Sequence, residues 1–129
     1  MKADGTIVVI GGSSGIGLAV ARRSLADGAT VVIAGRSQQR LDAARADLAR
    51  TGPPAGRLSA HPVDIGDPAQ VTRLFERVGT LSHLVVTAAD LPYGPVVSLS
   101  EDSMVRAVRS KILGPLFAAQ QAAPRITKP

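Results

Sequence analysis

The sequence predicts an α/β fold, a doubly wound parallel sheet with the strand order 3-2-1-4 and helices on both faces. Three observations support this prediction. Short apolar runs alternate with amphipathic segments in a βαβαβαβα order. The runs are apolar throughout rather than at every second residue, which is typical of strands buried on both faces of a parallel sheet. Right-handed crossovers between consecutive strands then give the stated order.

Four apolar runs, most of them rich in β-branched residues, mark the strands. The third run is less regular than the others because it contains His61-Pro62. The fourth has the sequence His-Leu-Val-Val-Thr at its centre. The predicted strands cover residues 6–10, 30–34, 58–63 and 82–87.

Polar residues mark the starts of three helices. Ser37 and Asp67 each stand where a side-chain oxygen can accept hydrogen bonds from first-turn N–H groups, and Ser100-Glu101-Asp102 opens the last helix. Pro68 then occupies a favoured first helical position. The first helix instead follows a glycine-rich turn directly and is predicted over residues 15–27. The sequence therefore predicts one helix after each strand.

Apolar spacing predicts which face of each helix is buried. The last helix has an acidic first turn that suits the helix dipole, and Gly114-Pro115 is expected to kink it. The predicted apolar faces are Ile16, Ala19 and Val20 in the first helix, Leu41, Ala44 and Leu48 in the second, Val71, Leu74, Phe75 and Val78 in the third, and Val105, Val108 and Ile112 in the last.

Composition predicts one domain, residues 1–129, whose core is built from Ala, Val, Ile and Leu because aromatic residues make up only 2% of the chain. No apolar run approaches the ~18 residues of a membrane span. Cysteine is absent, which excludes disulfides and thiolate metal sites, and no other metal-ligand spacing is present. The first residues show no signal-peptide pattern, so a cytoplasmic protein is expected.

The net charge of +5 and the pI of about 10.7 could suggest a nucleic-acid partner. The arginines are dispersed along the chain, however, and one Tyr and two Phe are the only aromatic residues that could stack on bases. Neither a nucleic-acid nor a membrane partner is therefore expected. Part of the positive charge could serve an anionic cofactor.

A glycine-rich turn follows the first strand. Gly11, Gly15 and Gly17 have the spacing Gly-x-x-x-Gly-x-Gly, which lets bare N–H groups and a helix N-terminus approach a phosphate. A triphosphate-hydrolysing P-loop does not fit, because Leu18 stands where its lysine must be. The competing interpretation is a tight turn without a ligand, but three spaced glycines and two serines exceed what such a turn needs.

The run Gly11-Gly12-Ser13-Ser14-Gly15-Ile16-Gly17 resembles the glycine motif of the short-chain dehydrogenase/reductase family. The resemblance implies a Rossmann-like fold and transfer of hydride between a nicotinamide cofactor and a carbonyl or alcohol substrate. It also implies that Asp64-Ile65 lies beside the adenine ring, although a turn before the Asp67 cap is a competing interpretation of Asp64. The candidate cofactor-binding residues are Gly11, Ser13, Ser14, Gly15, Ile16, Gly17, Arg36, Ser37, Asp64, Ile65, Ala88 and Ala89.

Arg36 indicates which dinucleotide is preferred. It lies just past the second strand, about 20 residues beyond the glycine turn, where an acid would hold the ribose of NAD. An acid there would repel a 2′-phosphate, whereas a guanidinium can hold one with two hydrogen bonds. Ser13, Ser37 and Arg40 could add donors. The sequence therefore predicts NADP(H) in preference to NAD(H); the alternative is a surface arginine at a helix start.

Two motifs depart from the family pattern. Thr87-Ala88-Ala89-Asp90 stands where the family usually has Asn-Asn-Ala-Gly, so the asparagine's link to the neighbouring strand is not predicted, although the two alanines still let a cofactor approach. In the last helix, Lys111 stands three residues before Gly114, where the family often has an asparagine proposed to hold a proton-feeding water. Because a lysine cannot accept hydrogen bonds, any such relay would have to differ.

The family's catalytic acid is a tyrosine with a lysine four residues on, helped by a serine. The one tyrosine here is Tyr93, and Val97 stands four residues on. The resemblance covers only the first half of the family fold, so we expect a cofactor-binding portion, truncated after the fourth strand and its helix and inactive alone. The alternative is a module that senses NADP(H) or assembles without chemistry. Pairing of two copies through the last helix is left open.

Overall fold

The computed structural model describes residues 4–127. Its four strands form one parallel sheet in the order 3-2-1-4, which confirms the predicted fold class. At the centre of the sheet, Val9 pairs with Ile33 on one side and with Val85 on the other. The strands are β1 (Thr6–Ile10), β2 (Thr30–Gly35), β3 (Leu58–Pro62) and β4 (His83–Val86).

Helices follow each strand, and the last one is interrupted. A π-helical turn at Arg109–Leu113 lies directly before Gly114-Pro115, where the sequence predicts a kink. Pro115 has no N–H to continue the regular ladder, so the backbone is irregular at this point. The helices are α1 (Gly15–Ala26), α2 (Gln38–Ala49), α3 (Pro68–Val78), α4 (Glu101–Val108) and α5 (Gly114–Ala122), with short 3₁₀ turns at Val96–Ser98 and Ala123–Arg125.

The two predicted caps, Ser37 and Asp67, are confirmed, and Ser100 caps the last helix. The side chain of Ser37 accepts from the N–H of Arg40 at the start of α2, and that of Ser100 accepts from Ser103 at the start of α4. Asp67 accepts from two N–H groups at the start of α3. Each of these helices is therefore tied at its first turn by the side chain that the sequence indicates.

The sheet has a core on each face. One core packs α3 and α5 against the sheet around Phe75, which is fully buried. The other packs α1 and α2 around Leu41 and Leu48, both fully buried. Adjacent residues of β1 alternate between the two cores, Val8 facing the first and Val9 the second. This two-sided burial is the physical reason that the strands read as continuous apolar runs.

The buried face predicted for α1 is wrong at Ile16 and Ala19, which are exposed, whereas Val20 is partly buried against the second core. Ile16 is 76% exposed, and the residues that α1 buries are Gly17, Ala21, Ser24 and Leu25. The reason is the close approach of α1 to the glycine turn. A Cβ on Gly17 would overlap the carbonyl of Gly11, so the glycine side of the helix faces inward and Ile16 is turned outward.

The apolar face predicted for the last helix exists but is uncovered. Val105, Val108 and Ile112 each expose about half of their surface. The inward residues of this segment are instead Ser110, Gly114 and the small residues of α5. The spacing therefore predicted the apolar stripe correctly, but the expectation that the stripe is buried is wrong.

The outer edge of β4 receives little cover. Leu81 and Ile126 form an isolated parallel bridge at the start of β4, with hydrogen bonds from Leu81 to Arg125 and from Thr127 to Leu81. Within residues 4–127, His83–Val86 has β1 as its only strand partner. None of the helices in this described range has both the length and the apolarity needed to cross a lipid bilayer.

Candidate dinucleotide site

A cleft of about 640 Å³ lies where the carboxyl ends of the strands meet. Ligands of open parallel α/β sheets bind at this edge, where the chain turns from strands into helices. The residues lining the cleft come from the turns after all four strands and from the α4 segment: Gly11, Ser13, Gly35, Arg36, Ser37, Arg40, Val63, Asp64, Ile65, Gly66, Ala88, Ala89, Asp90, Arg106, Arg109 and Ser110.

The glycine turn is held tightly against its neighbours. Gly11 has a φ of +97°, which favours glycine, and its N–H donates to the carbonyl of Ala34 at 2.7 Å. Gly17 packs beneath Gly11 so closely that any side chain there would overlap backbone. Gly15, by contrast, has open space where a Cβ would lie. The turn is thus fixed by packing on its inner side and free of protein atoms on its outer side.

The start of α1 differs from those of α2, α3 and α4. Ser14 is the cap residue of α1, but its side chain accepts no hydrogen bond from the first turn. The caps of the other three helices do accept such bonds. The first-turn N–H groups of α1 therefore have no side-chain acceptor within the described residues, and they lie at the positive end of the helix dipole. That arrangement suits a phosphate.

Hydrogen-bond donors gather where β2 ends. Ser13, Arg36, Ser37 and Arg40 all line the cleft there. The Arg36 side chain is 58% exposed, and its Nη1 donates to Asp90 Oδ2 at 2.8 Å. The Ser37 Oγ accepts from the Arg40 N–H at 3.2 Å and keeps its own O–H to donate. Two guanidinium groups and two hydroxyls are thus brought to one end of the cleft.

Asp64 and Ile65 follow β3, the strand next to β2, and they have different roles in the cleft. The Oδ1 of Asp64 accepts from the Gly66 N–H at 2.9 Å, which is the turn that the sequence offered as the competing interpretation. Its other carboxylate oxygen is left to accept from a ligand. Ile65 is buried and packs so closely on Gly114 that a Cβ at that position would overlap it. Ile65 thus supports the cleft floor from the core.

The turn after β4 is linked to the glycine turn. The hydroxyl of Thr87 donates to the carbonyl of Gly11 at 3.2 Å, and the N–H of Ala88 donates to Ile10 at the same distance. Thr87 therefore supplies a connection that the sequence did not predict. Farther on, the N–H of Asp90 donates to the Oγ of Ser110 at 2.8 Å, which ties this turn to the π-helical turn.

The cleft gathers eight of the twelve candidate residues, namely Gly11, Ser13, Arg36, Ser37, Asp64, Ile65, Ala88 and Ala89. Ser14, Gly15 and Ile16 form an exposed start of α1 outside its lining, and Gly17 is buried beneath the turn. Sequence reasoning missed four lining residues: Asp90, Arg106 of α4, and Arg109 and Ser110 of the π-helical turn. Only Asp90 had a visible signal, because it stands where the family has a glycine.

Tyr93 and Lys111 lie outside the cleft lining. Tyr93 is 94% exposed in the loop after β4, and Lys111 is exposed in the π-helical turn.

Neither histidine lines the cleft. Partial burial, together with the nearby charge of Arg77, lowers the pKa of His61. His83 lies beside the Ser82 hydroxyl, with 3.1 Å between Nδ1 and Oγ. The groups that the cleft does contain are suited to binding an anion.

Comparison with known proteins identifies the family. The family model for short chain dehydrogenases matches residues 5–129. The short chain dehydrogenase/reductase dpmpG of Macrophomina phaseolina is 34% identical over 122 residues, which are 91% of this chain and 69% of that protein. The short-chain dehydrogenase/reductase fsr5 of Gibberella fujikuroi is 35% identical over 129 residues, covering 92% of this chain and 49% of that protein.

Solved structures agree with the sequence relatives. A short-chain type dehydrogenase/reductase from Mycobacterium ulcerans is 30% identical and superposes with a TM-score of 0.84, over 93% of this chain and 46% of that one. The chain thus spans about half the length of this structure and of fsr5, and about two thirds of dpmpG. It belongs to the short-chain dehydrogenase/reductase family of oxidoreductases, which use nicotinamide dinucleotide cofactors.

Proposed function

We propose that this chain binds NADP(H) in preference to NAD(H), as the cofactor-binding part of an enzyme that transfers hydride between the nicotinamide and a carbonyl or alcohol. One observation carries the proposal. The donors at the end of β2, Ser13, Arg36, Ser37 and Arg40, line the same cleft as the glycine turn. Cations and hydroxyls placed there can hold a 2′-phosphate while the turn holds the pyrophosphate.

The residues present fit a dinucleotide. The space outside Gly15 and the uncapped N–H groups of α1 leave room and donors for a pyrophosphate. The free oxygen of Asp64 can accept from the adenine amino group. Ala88 and Ala89 let the backbone after β4 come close to the cofactor. When bound, the dinucleotide supplies the hydride chemistry, while these residues orient it.

Calorimetric titration with NADPH and NADH tests the preference. We expect wild type to bind NADPH at least about tenfold more tightly, because hydrogen bonds between charged groups contribute roughly 1.5–3 kcal/mol. Arg36→Asp should abolish or reverse the preference. Arg45→Asp makes the same charge change at an exposed residue of α2 outside the cleft and should retain it. An unchanged preference in Arg36→Asp would refute the proposed role.

We further propose that this chain alone reduces no carbonyl. Its one tyrosine, Tyr93, has a valine where the family has the lysine that lowers the tyrosine's pKa. Incubation with NADPH and a panel of aldehydes and ketones, followed by NADPH absorbance, tests this. Turnover that disappears in Arg36→Asp would contradict the proposal.

A second candidate function is a module that senses NADP(H) without chemistry. It is favoured by the fact that the donors at the end of β2 and the glycine turn line one cleft within the described residues. Micromolar binding of NADPH to a folded monomer would support the sensor. Weak binding by an aggregating chain would support the cofactor-binding part of an enzyme.

The exposed apolar stripe on the last helical segment suits a second copy of the chain. Its residues recur about every fourth position and so form one continuous strip: Met104, Val105, Val108, Ile112 and Leu116. A continuous strip on one face can pair with its own copy about a twofold axis. Sedimentation of wild type against Ile112→Ser tests this pairing.

A cytoplasmic location also remains a prediction, which cell fractionation would test.

A further inference from the structure

An ion pair crosses the cleft above the end of β1. Arg36 follows β2, whereas Asp90 follows β4, and β1 lies between these strands in the sheet. The two residues are 54 positions apart in the chain, yet Nη1 of Arg36 lies 2.8 Å from Oδ2 of Asp90. The same guanidinium is the group proposed to hold the 2′-phosphate. Carboxylate and phosphate thus compete for one cation.

Asp90 is held in this position by its backbone. Its N–H donates at 2.8 Å to the hydroxyl of Ser110, which is only 5% exposed in the π-helical turn. The carboxylate therefore projects from an anchored residue. The Asp90 side chain is 34% exposed, so water and ligands still reach it.

Other charged residues surround the ion pair between Arg36 and Asp90, so the charge of Asp90 acts mainly on a ligand bound at Arg36. Arg40, Arg106 and Arg109 also line the cleft and make it cationic as a whole. The other carboxylate, Asp64, has one oxygen engaged by the Gly66 N–H. A phosphate bound to Arg36 would lie close to the Asp90 carboxylate, because both groups would contact the same guanidinium, and like charges at that separation repel each other. Asp90 both occupies the guanidinium and repels the group that would displace it.

We infer that Asp90 is a specificity-determining residue that weakens binding of the cofactor's 2′-phosphate by competing for Arg36. The inference rests on the proposed function, since it concerns the same phosphate. Replacing Asp90 by its neutral amide frees the guanidinium and removes the repulsion. Because an exposed ion pair contributes at most about a fivefold factor in binding, we expect a gain of about that size.

The test uses 2′,5′-ADP and 5′-AMP, which differ only in the 2′-phosphate. Calorimetry on the full chain should show Asp90→Asn binding 2′,5′-ADP about fivefold more tightly than wild type does, with 5′-AMP unchanged. Asp90→Glu retains the charge and should behave as wild type. Asp27→Asn is the matched control, because it removes a partly exposed carboxylate from the ion pair with Arg23, outside the cleft.

The outcomes separate this inference from the proposed function. If wild type prefers 2′,5′-ADP and Asp90→Asn leaves that preference unchanged, the inference is overturned and the proposed function survives. An equal gain in Asp27→Asn, or an equal gain for 5′-AMP, also overturns it, because bulk charge then explains the effect. If only Asp90→Asn prefers 2′,5′-ADP, the inference holds and the NADP(H) preference of wild type fails. If no variant shows a preference, both fail.

Discussion

Neighbouring strands β1 and β4 differ in how they are buried. Four of the five residues of β1 are buried, whereas His83 of β4 is exposed and the other three residues are only partly buried. The two strands pair with each other, Val9 opposite Val85, yet β1 lies inside the sheet and β4 lies at one of its edges. The difference arises because β1 has a strand on each side, while β4 has β1 and the bridge at Leu81.

The comparison separates a rigid part of the cleft from a more exposed part. The glycine turn follows a strand with four of its five residues buried, and its backbone is hydrogen-bonded to β2 through Gly11. The segment after β4 instead carries the exposed apolar side chains of Tyr93, Val96 and Val97. The groups proposed to hold phosphates therefore stand on the rigid part, which is where preorganisation favours binding most.

The largest expected effect is at the glycine turn. Gly17→Ala places a Cβ against the backbone of Gly11, so α1 and the turn must separate. We expect unfolding to become easier by about 3 kcal/mol or more, measured by urea denaturation. Gly15→Ala is the control: it meets no atom within 4 Å and is strained only by its φ of +53°, which costs about 1 kcal/mol. Equal losses in the two variants would contradict the packing described for Gly17.

The same substitution in paired residues compares the two strands directly. Val9→Ala removes two methyl groups from a fully buried site, and we expect a loss of about 2 kcal/mol in the free energy of unfolding. Val85→Ala, directly opposite on the same face of the sheet, should cost about 1 kcal/mol because its side chain is only partly buried. Should Val85→Ala prove as costly as Val9→Ala, the contrast between the strands is wrong.

A pH effect of smaller size is expected at α3, which packs under the sheet. The side-chain amide of Gln70 donates to Asp67 and, with two backbone N–H groups, lowers the pKa of that carboxyl. Since the folded-state pKa is the lower one, the stabilisation is present above the ordinary carboxyl pKa and is lost as the pH falls through the folded-state value. Asp67→Asn should lose less stability than wild type between pH 7 and pH 3. Parallel acid profiles would show that Asp67 does not contribute.

The smallest expected effect on stability is on the exposed stripe. Ile112 is 55% exposed, so Ile112→Ser should change the free energy of unfolding by less than about 0.5 kcal/mol. Its effect should be seen in association, as a lower sedimentation coefficient at high protein concentration. A large loss of stability in this variant would mean that the stripe is packed within the chain.

Local features of the fold were predictable from the sequence. Apolar runs located all four strands, and single Ser or Asp residues located three helix starts, because both signals act within a few residues of the chain. The buried face of α1 was not predictable, since the approach of Gly17 to Gly11 is a tertiary contact. The spacing of apolar residues likewise could not show that Ile112 is exposed, because it indicates which residues share an apolar face and not whether that face is buried.

The candidate site also has features that the sequence could predict and features that it could not. The position of Arg36 after β2 could be inferred from the number of residues that separate it from the glycine turn. Its ion pair with Asp90 could not, because the partners are 54 residues apart and meet only when the sheet is assembled. The link from Thr87 to Gly11 spans 76 positions and was missed for the same reason.

Phosphorus NMR of NADP⁺ titrated with this chain tests the central claim most directly, because the pyrophosphate and the 2′-phosphate give separate signals. With wild type, both signals should shift or broaden. With Arg36→Ala, the pyrophosphate signal should still respond and the 2′-phosphate signal should return close to its free position. A pyrophosphate signal that never responds, or a 2′-phosphate signal that responds equally without Arg36, would contradict the account.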